Sequence, residues 1–216
     1  MLPCNIYMGI IYDSMRALGR NHSDFYINIK PKAGYFSLIQ GPCFTTYGEV
    51  VEVSDKQYKL LDNIRLEIYK KELFINKPVV ILQANDSIVA HSGDITSLIY
   101  KKLGASGFIT DGNVRDIDVI DKLKFPVFCK GENPIDALGY WALTKYQLEI
   151  ILDGVKISPN DYCFASRDGV IIVPNDIIKK FKPIALEQLE RENKVRYLIN
   201  NEQKTFDQIV KEMGRW

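Results

Sequence analysis

Residues 78–129 read PVVILQANDSIVAHSGDITSLIYKKLGASGFITDGNVRDIDVIDKLKFPVFC, and the succession of patterns in this stretch decides the architecture. Pro78 to Gln83 is a short, continuously apolar run, as expected of a strand covered on both faces. After the loop Ala84 to Gly93, apolar Ile95, Leu98, Ile99 and Leu103 recur at helical spacing. Ser92 or Asp94 is placed to cap the start of that helix and Gly104 to end it. Gly107 to Thr110 reads as the next strand, Asp111-Gly112 as a tight turn, Val114 to Lys124 as a second helix, and Pro126 to Cys129 as a further strand. Strand, helix, strand, helix, strand at these intervals predicts an α/β unit with a parallel component.

Upstream, Ile6, Ile10, Ile11, Met15 and Leu18 predict a helix that Gly19 stops. Asn21 to Lys32 reads as a loop with a short extended piece. Tyr35 to Ile39 reads as a strand, and Cys43 to Val53 as another beyond Gly41-Pro42. Lys56 to Leu73 has helical periodicity with a charged, solvated face. Downstream, Lys130 to Lys145 looks like a loop carrying an exposed aromatic pair, Tyr140-Trp141. An antiparallel meander follows, with turns at Asp153-Gly154, Pro159-Asn160-Asp161 and Arg167-Asp168-Gly169. From Asn175 onward the pattern is helical, with Pro183 either interrupting the first helix or starting a second. No repeat or linker appears, so one domain over 1–216 is expected.

The chain has 216 residues, 46% hydrophobic and 25% charged, which is ordinary globular composition. Its 28 basic and 27 acidic residues leave a net charge of +1, so no global field draws nucleic acid or anionic lipid. Nucleic acid is therefore disfavoured as a main partner. Cys4, Cys43, Cys129 and Cys163 form no CxxC pair, which argues against a zinc knuckle and a disulfide framework. The stretch MLPCNIYMGIIYDSMRALGR lacks a charged region ahead of its apolar residues, and no run reaches the ~20 apolar residues of a membrane span. A soluble, cytoplasmic protein is expected.

The chemistry concentrates at Gly93-Asp94 and Arg115-Asp116, with twenty residues, 95–114, between Asp94 and Arg115. Singly, Asp94 reads as a cap, Asp116 as a first-turn carboxylate favoured by the helix dipole, and Arg115 as a surface ion-pair partner. Together they lie on the loops that follow two neighbouring strands, where α/β sheets form their ligand crevice. Two oxygen donors with no nearby Cys or His suit Mg²⁺ or Mn²⁺. A planar guanidinium beside the metal suits a carboxylate or an enolate oxygen, and the N–H groups opening the Ile95 helix suit an anion. This describes a site for a small, metal-chelating 2-keto acid. His91, two residues earlier, reads as a loop hydrogen-bonding residue rather than a ligand. Tyr140 and Trp141 read as lining an interface or a pocket.

These residues resemble the family that includes the regulator of ribonuclease activity A and the class II 4-hydroxy-4-methyl-2-oxoglutarate aldolases. The resemblance rests on Asp94 followed after twenty residues by Arg115-Asp116, on DGNVRD at 111–116, GPCFT at 41–45, DGVIIVP at 168–174 and SPND at 158–161. It implies an α/β fold, a β/β/α sandwich of the swivelling phosphohistidine-domain type with C-terminal helices, assembled as a homotrimer or homohexamer with sites at subunit interfaces. It also implies a lyase that cleaves a 4-hydroxy-2-oxo acid to pyruvate by retro-aldol chemistry, with oxaloacetate decarboxylation as a side activity. Asp116 would hold the divalent metal directly and Asp94 through water. Arg115 would hold the keto oxygen and stabilise the enolate, and Gly93, Asp94, Ile95 and Thr96 would contact substrate through their backbone. An acid for base work is expected from a neighbour's C-terminal region, at Glu187 or Glu190. The alternatives are a non-catalytic regulator that binds an RNA-degradation enzyme, or a related metal-dependent step on a carbohydrate or hydroxy acid. The chain departs from the family at Asn160, where glycine is usual, and at Ser166, where an acid is common. It also departs along Lys130 to Lys145.

Overall fold

The structure is a computed structural model that describes residues 2–3, 5–34, 38–51, 63–201 and 204–214. A mixed sheet of ten strands holds the described residues together. Its parallel part contains β3 (Ile39–Val50), β4 (Val79–Gln83), β5 (Ala90–Ser92), β6 (Gly107–Val114) and β7 (Val127–Glu132), with β4 between β3 and β6 and β7 beyond β6. Every residue of β4 from Val79 to Leu82 is buried, and alternate side chains enter different cores. Val79 and Ile81 point into one core, Val80 and Leu82 into the other. The apolar run is continuous because both faces of the strand are covered.

The second of these cores is roofed by α2 (Asp94–Leu103) through Tyr100, by α3 (Ile117–Leu123) through Ile120, and by helical residues 63–68 through Ile68. The first is closed by the β9–β10 hairpin (Ile150–Leu152, Val155–Ile157) and by one face of β11 (Tyr162–Ser166) and β12 (Gly169–Val173). The other face of that pair, with Phe164, Ile171 and Val173, packs on α1 (Met8–Ala17) and α4 (Ile178–Asn200). The strands β1 (Tyr26–Ile27) and β2 (Pro31–Ala33) close the two sheet edges. A final helix, α5 (Phe206–Met213), seats Ile209 against Val195 and Leu198 of α4. No helix among the described residues is long and apolar enough to cross a membrane.

Several expectations change. The two runs around Gly41-Pro42 form the single strand β3; residues 35–37, 52 and 53 lie outside the described residues. Of the helix expected over Lys56 to Leu73, residues 56–62 also lie outside them, 63–68 are helical, and a 3₁₀ turn covers Lys71–Phe74. Asp111-Gly112 is no turn. It lies inside β6, where the register with β7 shifts between Thr110 and Asn113. Trp141 is not exposed but core, at 1% exposure, and opens β8 (Trp141–Tyr146) in what was expected to be a loop. Gly48 of β3 makes room for it, since a methyl there would sit 1.8 Å from the indole ring. Helix α4 runs unbroken through Pro183, which it keeps on an exposed face.

Candidate functional site

The site is built where β5 and β6 end side by side. Ser92 pairs with Val114, and the Arg115 N–H donates to the Ser92 carbonyl at 3.0 Å. One step further, each strand enters a helix. Gly93 is the N-cap of α2 and Asp116 the N-cap of α3, and neither makes a side-chain capping bond. Asp94 is thus the first helical residue, not the cap that its sequence context suggested. Ser97 N–H reaches the Gly93 carbonyl at 3.0 Å, so the N–H groups of the turn before it have no acceptor within the helix. Asp116 has φ 62° and ψ 33°, a left-handed conformation that side chains rarely adopt and that clusters at functional sites.

The two junctions touch at Gly93. A methyl group there would lie 2.8 Å from Asp116 Oδ2, 3.1 Å from Arg115 Cγ and 3.4 Å from Arg115 Nε. Arg115 Nε stands 3.6 Å from Asp116 Oδ2, and its Nη1 stands 3.4 Å from Asp136 Oδ1. Arg115 lines two hollows. One, a cleft of about 100 Å³, is lined by residues 90–96 together with Arg65, Arg115, Asp136 and Ala137. The other, of about 510 Å³, is lined by Asp116, Asp118 and Glu132 among others. The sequence-derived set Gly93, Asp94, Ile95, Thr96 and Arg115 therefore shares one cleft, with Asp116 reaching its edge beside Gly93.

A buried hydrogen-bond system supports the cleft from below. His91 is 8% exposed; its Nδ1 lies 3.1 Å from the Asn113 N–H and its Nε2 3.1 Å from Asp86 Oδ2. Accepting at Nδ1 fixes the neutral tautomer with hydrogen on Nε2. Burial pushes the imidazole pKa down, and the Asp86 hydrogen bond and charge only partly oppose it. Burial alone would raise the Asp86 carboxyl, but the N–H groups of Val89 and Ile88 and the His91 ring hold it below its ordinary value. Trp141 packs edge-on to His91 at 4.7 Å and donates to the Ala84 carbonyl at 2.7 Å. Gly112 is needed for space, since a methyl there would lie 2.2 Å from His91 Nδ1. His91 is a hydrogen-bonding residue, as its context suggested, but it lies on strand β5 and not in the loop expected over Ala84 to Gly93.

Two residues of the cleft escaped sequence reading, and a third, Ser92, reads in the sequence only as a possible helix cap. Asp136 lies in a stretch without periodicity, and Arg65 looked like one charge on a solvated face. Ser92 is 6% exposed, and its Oγ makes no hydrogen bond with the described residues although it lines the cleft. Glu187 and Glu190 sit on α4, across the β11–β12 layer, and line none of the cleft in this chain. The described residues bring together no group of three His, Cys, Asp or Glu side chains able to hold a metal. The carboxylates at the cleft are those of Asp94 and Asp136, with Asp116 at its edge beside Gly93, and such a set of oxygen donors fits a Mg²⁺-like ion that keeps most of its waters. It does not fit the four-ligand nitrogen and sulfur set of structural zinc.

A family model described as RraA-like, Aldolase/RraA, matches residues 10–172. A Halalkalibacterium halodurans protein named "Putative 4-hydroxy-4-methyl-2-oxoglutarate aldolase" is 31% identical over 121 residues, which are 54% of this chain and 57% of that protein. The chain thus spans little more than half the length of that relative. Among solved structures, an uncharacterized protein from Pseudomonas syringae pv. tomato superposes with a TM-score of 0.76 at 20% identity, over 95% of this chain and 92% of the other. Streptomyces coelicolor RraAS2, described as an unusual member of the RNase ES inhibitor RraA protein family, gives 0.71 at 19% identity, over 89% and 92%. At these identities the structural likeness speaks for the fold.

Proposed function

The chain belongs to the RraA-like family, and from that premise we propose that it is a divalent-metal-dependent carbon–carbon lyase acting on a small 2-keto acid. The reaction in this reading is retro-aldol cleavage of a 4-hydroxy-2-oxo acid to pyruvate, with oxaloacetate decarboxylation as a side activity. One observation carries it: the Asp116 carboxylate and the Arg115 stem close to within 2.8 and 3.1 Å of where a side chain on Gly93 would begin, although twenty residues separate the two junctions. A surface ion pair and two unrelated helix starts would not need a glycine where they cross.

In this reading the backbone N–H groups of residues 93–96 receive the substrate carboxylate at the N-terminus of α2. Arg115 holds the keto oxygen and stabilises the negative charge that grows there as the bond beyond C3 breaks, an effect worth about 10²–10³ in rate for one well-aimed donor. Asp116 directly, and Asp94 through water, would hold Mg²⁺ or Mn²⁺, which when bound supplies Lewis-acid polarisation of the keto acid. The exposed apolar side chains of Ile95, beside Asp94, and of Ile135 and Leu138, flanking Asp136 and Ala137, support a cleft that faces another subunit of a homotrimer or homohexamer. The two apolar layers either side of β4 support the swivelling phosphohistidine-type sandwich.

The test is pyruvate release from 4-hydroxy-4-methyl-2-oxoglutarate and from oxaloacetate, with Mg²⁺ or Mn²⁺ and with chelator. Turnover is expected with metal and is lost on chelation. Asp116→Ala is expected to lose at least about 10³ in kcat while remaining folded. Activity that survives either treatment would overturn the metal assignment. No turnover of either substrate would turn the reading toward the non-catalytic regulator.

A further inference from the structure

We propose that Asp136 is the base that removes the C4 hydroxyl proton in the retro-aldol step, an inference that rests on the lyase reading above. The C4 hydroxyl gives its proton to the Asp136 carboxylate, and the C4–O bond becomes a carbonyl. The C3–C4 bond breaks, and its electron pair moves into the enolate whose oxygen lies at Arg115. The enolate then takes a proton at C3 from solvent water to give pyruvate, and Asp136 returns its own proton to solvent, so the carboxylate is restored. Arg115 supplies charge stabilisation but cannot accept a proton, since a guanidinium stays charged in proteins. A separate acceptor is required.

Geometry limits where that acceptor stands. In a 4-hydroxy-2-oxo acid the hydroxyl oxygen is only two carbons from the keto carbon. A base in hydrogen-bond reach of it must lie close to the guanidinium that holds the keto oxygen. Asp136 Oδ1 lies 3.4 Å from Arg115 Nη1 and its side chain is 61% exposed beside the cleft it lines. The guanidinium has five N–H donors, so this contact leaves others for the substrate. Among the described residues lining that cleft, the other acid is Asp94, which the reading gives to the metal. His91 is excluded because both ring nitrogens are already engaged and its side chain is wholly buried. Glu132 and Asp118 line the neighbouring hollow, and Glu132 is paired with Lys32 at 3.0 Å.

The position of Asp136 is built rather than incidental. The Ala90 N–H donates to the Ile135 carbonyl at 2.9 Å, tying the residue before Asp136 to β5, the strand that delivers Gly93. Asn133 Nδ2 donates to the Ile88 carbonyl at 3.1 Å, and Asn133 Oδ1 accepts from the Ile135 N–H at 3.1 Å. After Asp136, the Tyr140 and Trp141 N–H groups both reach the Ala137 carbonyl, so the loop is pinned on each side of the acid.

The experiment compares wild type with Asp136→Asn in two reactions and one binding measurement, all with Mg²⁺. Oxaloacetate decarboxylation needs the same enolate stabilisation but has no hydroxyl proton to remove. Oxalate, a planar mimic of the pyruvate enolate, reports by calorimetry whether Arg115 is still in place. Asp136→Asn is expected to lower kcat for 4-hydroxy-4-methyl-2-oxoglutarate cleavage by about 10²–10⁴. Oxaloacetate turnover and oxalate affinity also respond to the altered charge beside Arg115, but their changes are expected to be at least about tenfold smaller than the loss of aldol cleavage. A drop shared equally by both reactions and by oxalate binding overturns the assignment and makes Asp136 a positioning residue for Arg115. Aldol cleavage that falls less than about tenfold overturns it as well. A wild type that decarboxylates oxaloacetate without cleaving the aldol substrate sinks this inference and the retro-aldol reaction with it, and keeps the metal-dependent lyase on a 2-keto acid. A wild type inactive on both sinks the lyase reading and the inference with it.

Discussion

The two strand-to-helix junctions of the site distribute glycine and aspartate against what their backbones would choose. At the β5–α2 junction Gly93 has φ −150° and ψ −161°, extended backbone that any residue adopts. At the β6–α3 junction Asp116 has φ 62°, where glycine would be most at ease. Backbone preference thus explains neither residue. Gly93 is glycine because its missing side chain leaves room for the Asp116 carboxylate and the Arg115 stem. Asp116 accepts an unfavourable conformation that sets its carboxylate beside Gly93. Where local preference is overridden twice at one crossing point, the side-chain chemistry is what the fold is preserving.

The largest expected effect comes from giving the second junction the residue its backbone prefers. Asp116→Gly removes the metal-directed carboxylate and relieves the left-handed strain at once. Activity falls by at least about 10³, while stability stays within about 1 kcal/mol, because lost strain offsets the glycine's added unfolded-state entropy. Thermal unfolding beside the pyruvate assay checks both. A large loss of stability would make Asp116 structural and dissolve the contrast. A smaller effect follows from filling the space at the first junction. Gly93→Ala keeps an allowed backbone but puts a methyl 2.8 Å from Asp116 Oδ2, so the carboxylate and the arginine stem must shift by tenths of an ångström. Misplacement of that order costs about 10- to 100-fold in kcat/KM, with stability again within about 1 kcal/mol. Unchanged kinetics in Gly93→Ala would show that the close approach has no part in catalysis.

Much of this was legible in the sequence, for reasons that can be located. The parallel unit showed itself because Val79 to Leu82 bury on both faces, and a strand with one wet face would have been interrupted by polar residues. The crossing of Gly93-Asp94 with Arg115-Asp116 followed from two strands of one sheet ending together. What stayed hidden depended on contacts between distant segments. Asp111-Gly112 carries a turn signal, yet it lies within a strand because the glycine is spent on clearance for His91, a packing requirement no local window contains. Trp141 looked exposed because its burial depends on Gly48, ninety-three positions earlier. Asp136 carries no local signal. Its place by Arg115 comes from hydrogen bonds that tie its loop to Ile88 and Ala90.

The smallest expected effect tests the floor on which both junctions rest, since His91 belongs to β5 and its Nδ1 partner Asn113 to β6. With the folded imidazole held below its ordinary pKa of about 6.5, the unfolded chain binds more protons between the two values. Stability then rises with pH across that interval. The contribution is complete above about pH 6.5 and is lost as pH falls through the folded value. The geometry agrees, because a proton on Nδ1 would face the Asn113 N–H with two donors and no acceptor. Asp111 and Asp161 act with the opposite sign, since burial raises both carboxyls in the folded chain. The His91 contribution is therefore read as a difference: the decline in Tm from pH 7 to pH 5 should be steeper in wild type than in His91→Gln. Equal slopes would mean that His91 is not held neutral beneath the cleft. The two junctions would then meet over a floor indifferent to protonation, with their register set by the β5–β6 pairing and the Ser92–Arg115 backbone bond.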